Sequence, residues 1–178
     1  MNNYAVIGSL IYGLMGLCSS VSYAESTNVE YSGTLVALPC TVDTDEQNDL
    51  IWFGENINIK DLYTGLRVDK EIEFYLKDCD TSLGNNISAK FSGNSTSDGF
   101  LKPDVGSDAS GVVIGMETMS GKALPINGIK VEPVYPIMDG NMVITLRSYL
   151  KGDANAVKNK TIKPGPFSAT LTYVLVYE

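Results

Sequence analysis

The chain has 178 residues, 13 basic against 21 acidic side chains for a net charge of -8, and no histidine. The negative balance argues against nucleic acid or an anionic membrane surface as a partner, and the missing histidine removes the commonest general base and metal ligand. With 17 Gly, 7 Pro, many short β-rich runs and no convincing amphipathic helical pattern, one all-β domain is expected.

Met1 to Ala24 has the form of a signal peptide. Its apolar stretch Ala5 to Cys18 is short for a bilayer span, and Ser22-Tyr23-Ala24 is a small-x-small cleavage site, so no stable membrane insertion is expected. The first four residues carry no Lys or Arg, which departs from the usual pattern, and Leu17 is larger than a lipoprotein signal at Cys18 would require. Cleavage removes Cys18 and leaves the even pair Cys40 and Cys79 in an exported, oxidising compartment, where a disulfide is the natural state. Two thiols without histidine supply too few ligands for a metal, so none is expected.

Val29 to Ala37 alternates, with Val29, Tyr31, Gly33, Leu35 and Ala37 on one face. A glycine within an apolar face signals a close backbone approach or a bulge. The extended run continues through Thr41 and Val42, the polar Asp43 to Asp49 forms a loop, and Leu50-Ile51-Trp52-Phe53 is expected to be a short strand with Trp52 in the core. A short strand is expected over Ile57 to Asp61, followed by a turn at Tyr63-Thr64-Gly65. Ile72 to Cys79 alternates with Ile72, Phe74 and Leu76 inward, and Ile87 to Gly93 is another strand. Asn94 to Ser110 is a loop interrupted by Phe100-Leu101. Gly111 to Met116 is a strand that turns near Gly121 toward Ala123-Leu124-Pro125-Ile126. Pro133 and Pro136 mark an irregular connection, Asn141 to Leu150 a strand, and Gly152 to Lys160 a loop.

The last run, Gly165 to Glu178, has the clearest period of two. Phe167, Ala169, Leu171, Tyr173, Leu175 and Tyr177 fall on one face, with Ser, Thr and Val mostly between them. Such a strand has no following strand to pair with, so its edge needs a cover from elsewhere. Strands at this spacing with one disulfide describe an immunoglobulin-like β-sandwich. The carboxylates Glu55, Asp61, Glu71, Glu73 and Asp78 form no pair at catalytic spacing, so no enzyme and no cofactor are expected.

These residues together resemble the pilin subunits of bacterial chaperone-usher fimbriae, most of all the minor non-adhesive subunits of P-pilus type. The resemblance rests on Gly165 fourteenth from the end with Tyr177 penultimate, on Gly33-Thr34-Leu35-Val36-Ala37-Leu38-Pro39-Cys40, on Ile72-x-Phe74-x-Leu76-x-Asp78-Cys79, and on Gly111-Val112-Val113-Ile114-Gly115 followed by Gly121. It weakens at Leu146-Arg147-Ser148-Tyr149, where similar subunits carry Ala before the aromatic.

The resemblance implies an all-β, incomplete immunoglobulin-like sandwich of six strands whose seventh is supplied in trans. It implies a signal peptide over 1–24, an N-terminal donor-strand extension over 25–38 and a pilin domain over 39–178. Gly165, Phe167, Ala169, Leu171, Tyr173, Leu175, Tyr177 and the carboxylate of Glu178 would form the strand to which a periplasmic chaperone lends its own. At the outer-membrane usher a neighbouring pilin subunit's extension would replace that strand, and Val29, Tyr31, Gly33, Leu35 and Ala37 would serve a preceding subunit in the same way. The product is a structural subunit exported through the periplasm to a cell-surface fimbrium. The alternative is a single-domain secreted carbohydrate-binding or adhesive module, with Trp52 as its stacking platform.

Overall fold

A computed structural model describes residues 30–44, 50–128 and 134–178. The chain divides into two units, 1–35 and 36–178, and the described part of the first, residues 30–35, is exposed and contains no strand. Val29, Cys18 and the proposed signal peptide lie outside the described residues.

The larger unit is built from two sheets. The first has the order β1-β2-β6-β4, from β1 (Thr41–Val42), β2 (Val68–Cys79), β6 (Gly140–Gly152) and β4 (Val112–Thr118). The second has the order β5-β3-β7, from β5 (Val134–Pro136), β3 (Asn86–Gly93) and β7 (Leu171–Tyr177). Every pairing is antiparallel. Alternation sends Ile72, Phe74 and Leu76 of β2 to the same face as Leu146, Ile144 and Met142, their register partners on β6. From the other sheet Ile87 and Phe91 meet them, and the Phe74 ring lies 4.8 Å from Tyr173 and 6.5 Å from Phe91. This interdigitation makes the molecule a sandwich with one core. Cys40 and Cys79 form the expected disulfide inside it, tying the start of β1 to the end of β2.

Several segments differ from the sequence expectation. Ile57 to Asp61 is not a strand: Asn58 accepts from the Lys60 N–H at 3.0 Å and caps a short helix, α1 (Ile59–Tyr63). Asp153 caps α2 (Ala154–Asn159) in the same way, within a stretch expected to be loop. Pro136 belongs to β5, an edge strand, where a residue without N–H is tolerated. β5 raises the count of strands to seven among the described residues, although β1 and β5 have only 2 and 3 residues. Leu50 to Phe53 forms no strand, and Trp52 is 62% exposed rather than in the core. The terminal strand is shorter than its pattern, since only Leu171–Tyr177 pairs with β3.

Candidate functional site

β7 lies at the edge of its sheet, and its hydrogen bonds fix which way each residue points. Asn86 and Glu178 exchange main-chain bonds of 2.9 Å in both directions. Bonded pairs alternate in an antiparallel ladder, so the even residues of β7, from Val176 to Thr172, direct their main-chain groups at β3. The same parity continues upstream. Ser168 O accepts from the Asp104 N–H at 2.8 Å, and Pro166 O accepts from Asp108 and Ala109 at 3.0 and 3.1 Å. The loop 104–109 thus takes over where β3 ends. Gly165 permits this approach, because its φ is +143° and a Cβ there would sit 2.6 Å from the Asp108 Cβ.

The odd residues point their side chains into the sandwich and their main-chain groups at the opposite edge. Among the described residues, the main-chain groups of Phe167, Ala169, Leu171, Leu175 and Tyr177 have no hydrogen-bond partner there. Their side chains pack on the core yet stay only half-buried. The result is a long apolar strand edge, covered on one side only.

A second lip faces the upstream part of this edge. Ile51, Trp52 and Phe53 line a cleft of about 540 Å³ whose other wall is Lys163 to Phe167 and whose floor includes Val112, Leu150 and Ile162. The Phe53 and Phe167 rings are 6.4 Å apart across it. Among the described residues, Ile51 to Ile57 make no main-chain hydrogen bond. This lip has the composition of a strand without its ladder, which accounts for the exposure of Trp52. The far end of the groove is closed by Tyr177, whose hydroxyl donates to Cys40 O at 3.1 Å and whose phenol pKa is pushed up by burial.

The structure therefore assembles Gly165, Phe167, Ala169, Leu171, Tyr173, Leu175 and Tyr177 along one edge, with Glu178 held by β3 at its end. Tyr31, Gly33, Leu35 and Ala37 are exposed, Tyr31 and Leu35 at 91% and 101%. The sequence expectation missed the second lip and the 104–109 loop as parts of the site. Four consecutive large apolar residues at 50–53 were the available signal for the lip; the loop, being polar and irregular, gave none. Glu55, Asp61, Glu71, Glu73 and Asp78 do not converge on the cleft: Glu55 lines it alone. Among the described residues no cluster of three or more Cys, Asp or Glu could hold a metal, and no helix is long and apolar enough to cross a membrane.

The family model described as Fimbrial protein matches residues 29–178. An uncharacterized fimbrial-like protein of Escherichia coli K12, YfcP, is 30% identical over 94% of this chain and 93% of its own length. The solved P pilus rod subunit PapA superposes with a TM-score of 0.68 at 19% identity, covering 79% of this chain and 100% of that one. A subunit from the structure of a chaperone-usher pilus superposes with a TM-score of 0.67 at 20% identity, covering 86% and 96%.

Proposed function

This chain belongs to the fimbrial protein family and is a structural subunit of a cell-surface fimbria, and from that premise we propose that it is assembled by strand donation. The observation that carries the reading is the groove between the two lips. Lys163 to Phe167, just upstream of β7, and Ile51 to Phe53 face each other across the cleft, and among the described residues neither Phe167 nor Ile51 to Phe53 has a ladder partner there. One extended segment placed between them would hydrogen-bond the odd residues of β7, pair with the second lip and cover the half-buried side chains. Covering apolar surface contributes roughly 25 cal/mol per Å², so an uncovered groove of this length favours association over a free monomer.

In this reading a periplasmic chaperone fills the groove during export, and at the outer-membrane usher a neighbouring subunit's extension replaces it. Residues 25–38 are this chain's own extension, with Val29, Tyr31, Gly33, Leu35 and Ala37 as its inward face, and 39–178 is the receiving domain. The alternation of 29–37 and the exposure of its described residues support that assignment.

The test is coexpression. Alone, the chain should aggregate or swap strands; with its chaperone it should purify as a soluble heterodimer. Deleting 25–38 should preserve chaperone binding and abolish attachment to the preceding subunit. A stable monomer that ignores both chaperone and donor peptide would sink the reading.

A second reading keeps one observation in its favour, the exposed Trp52, which could stack on a sugar ring. It predicts glycan binding lost in Trp52→Ala with assembly unchanged; strand donation predicts weakened assembly instead.

A further inference from the structure

Resting on the strand-donation reading, we propose that Ser107 is a positioning residue for the received segment. Its hydroxyl stands in for a missing ladder residue and aims the main-chain groups of Phe167 and Ala169 into the groove.

β3 runs out before the apolar face of 165–177 does. The last register pair is Gly93 with Leu171, and Gly93 turns its main-chain groups the other way, donating to Asn127 Oδ1 at 3.2 Å and accepting from Asn127 Nδ2 at 2.8 Å. Asn94, the next residue that ladder parity would bond to Thr170, instead accepts from the Lys102 N–H at 2.7 Å. Ser168 and Thr170 are served by a four-residue turn. Asp104 to Ser107 is closed by the Ser107 N–H, which donates to Asp104 O at 3.1 Å, and Gly106 has φ +100°, the sign that a type II turn requires at its third position.

Within that turn one side chain replaces a whole main-chain residue. Ser107 Oγ accepts from the Ser168 N–H at 3.2 Å and donates to Ser168 O at 3.3 Å, the same two-way exchange that a bonded antiparallel pair makes. Asp104 N donates to Ser168 O as well, at 2.8 Å, and Asp104 Oδ2 accepts from the Thr170 hydroxyl at 2.8 Å. Both edges of the strand are then assigned. With the main-chain groups of Ser168 directed at the turn, Phe167 and Ala169 present theirs to the groove, beside the cleft that Phe167 shares with Phe53.

The role is one of direction rather than of stability, because the site is wet. Ser168 and Thr170 are exposed and Ser107 is half-buried, so water can replace a lost hydroxyl at little cost to the fold. Water does not fix direction. Without Ser107 Oγ the Ser168 N–H has no fixed partner, and a received segment must itself align Phe167 and Ala169 before it can bond them.

The full chain, released from its assembly chaperone into an excess of a synthetic peptide of residues 29–37, can be followed by amide exchange in NMR. In wild type the peptide should slow exchange at Phe167, Ala169, Leu171 and Leu175. In Ser107→Ala the Phe167 and Ala169 amides should exchange roughly fivefold faster than in wild type, the size of one lost hydrogen bond, while Leu171 and Leu175 keep their protection. Ser107→Thr keeps the hydroxyl and should restore both. Unchanged protection at Phe167 and Ala169 in Ser107→Ala would overturn the proposal. So would a Ser107→Ala chain that fails to fold, a loss spread evenly along 167–175, or one that Ser107→Thr does not reverse, since each marks a merely structural role. A wild-type chain whose odd amides the peptide leaves unprotected would overturn the strand-donation reading, and this role with it.

Discussion

Glu117, on β4, is 6% exposed, and two arginine side chains converge on it. Arg67 donates to both its oxygens, at 2.9 and 2.8 Å, and Arg147 donates to Oε1 at 3.1 Å. Arg67 also stacks 4.4 Å from the Tyr149 ring and bonds Asp69 at 2.9 Å. The Arg67 bond holds the Glu117 carboxyl below the usual glutamate range and outweighs burial, which acts the other way. A carboxylate with a lowered pKa stabilises the fold above its unfolded value, about 4.3, and loses that contribution as pH falls through the folded one. Glu117→Gln should lower stability by about 1–3 kcal/mol at neutral pH, with the difference from wild type shrinking in acid. Urea unfolding at several pH values checks this. Gly115 belongs to the same face: a Cβ there would lie 2.3 Å from Tyr149 Cζ, so Gly115→Ala should displace the ring and cost about 1–3 kcal/mol. Glu117 did not stand out in the sequence and Gly115 did so only as part of the run 111–115, because an acidic residue and a glycine carry no mark of the partners that other strands bring to them.

At the scale of elements, β7 pairs with β3 on one side, and in the strand-donation reading its other side takes a segment of another chain. Leu171 and Leu175 are half-buried at its open edge. Replacing both with Ser should abolish chaperone copurification while leaving the chain's own extension able to occupy a preceding subunit. Pull-down with each partner separates the two effects. The period of two in 165–177 made this strand and its inward face legible. Its shortening to Leu171–Tyr177 was not, because residues 166 and 168 bond to an irregular loop instead of a strand. The two helices were hidden for a related reason. Five and six residues are too few for helical periodicity, and only the caps Asn58 and Asp153 could have announced them.

For the whole molecule, the disulfide compensates for a sandwich that lacks part of its cover. Cys40 and Cys79 are 39 residues apart, so reducing the bond or making Cys40→Ser should cost roughly 4 kcal/mol in the chain-entropy model. Thermal melting of the chaperone complex with and without reductant measures it. The loss should fall on the β1–β2 corner, where Tyr177 also bonds Cys40 O, and so should weaken the end of the groove as well as the fold.

The sequence by itself determined the all-β class, the inward faces of β2 and β7, and the disulfide. Each follows from local alternation or from a single pair of cysteines. It also determined the alternation of 29–37 that suits a donated strand. Only the tertiary structure decided what those faces surround. Which edge of β7 stays open depends on hydrogen-bond parity set by Asn86 and by the 104–109 loop. Whether Trp52 is buried depends on a ladder partner that no described residue of its own chain supplies. Periodicity tells a residue which way to face, but whether a neighbour is there to meet it is a property of the assembled sheets.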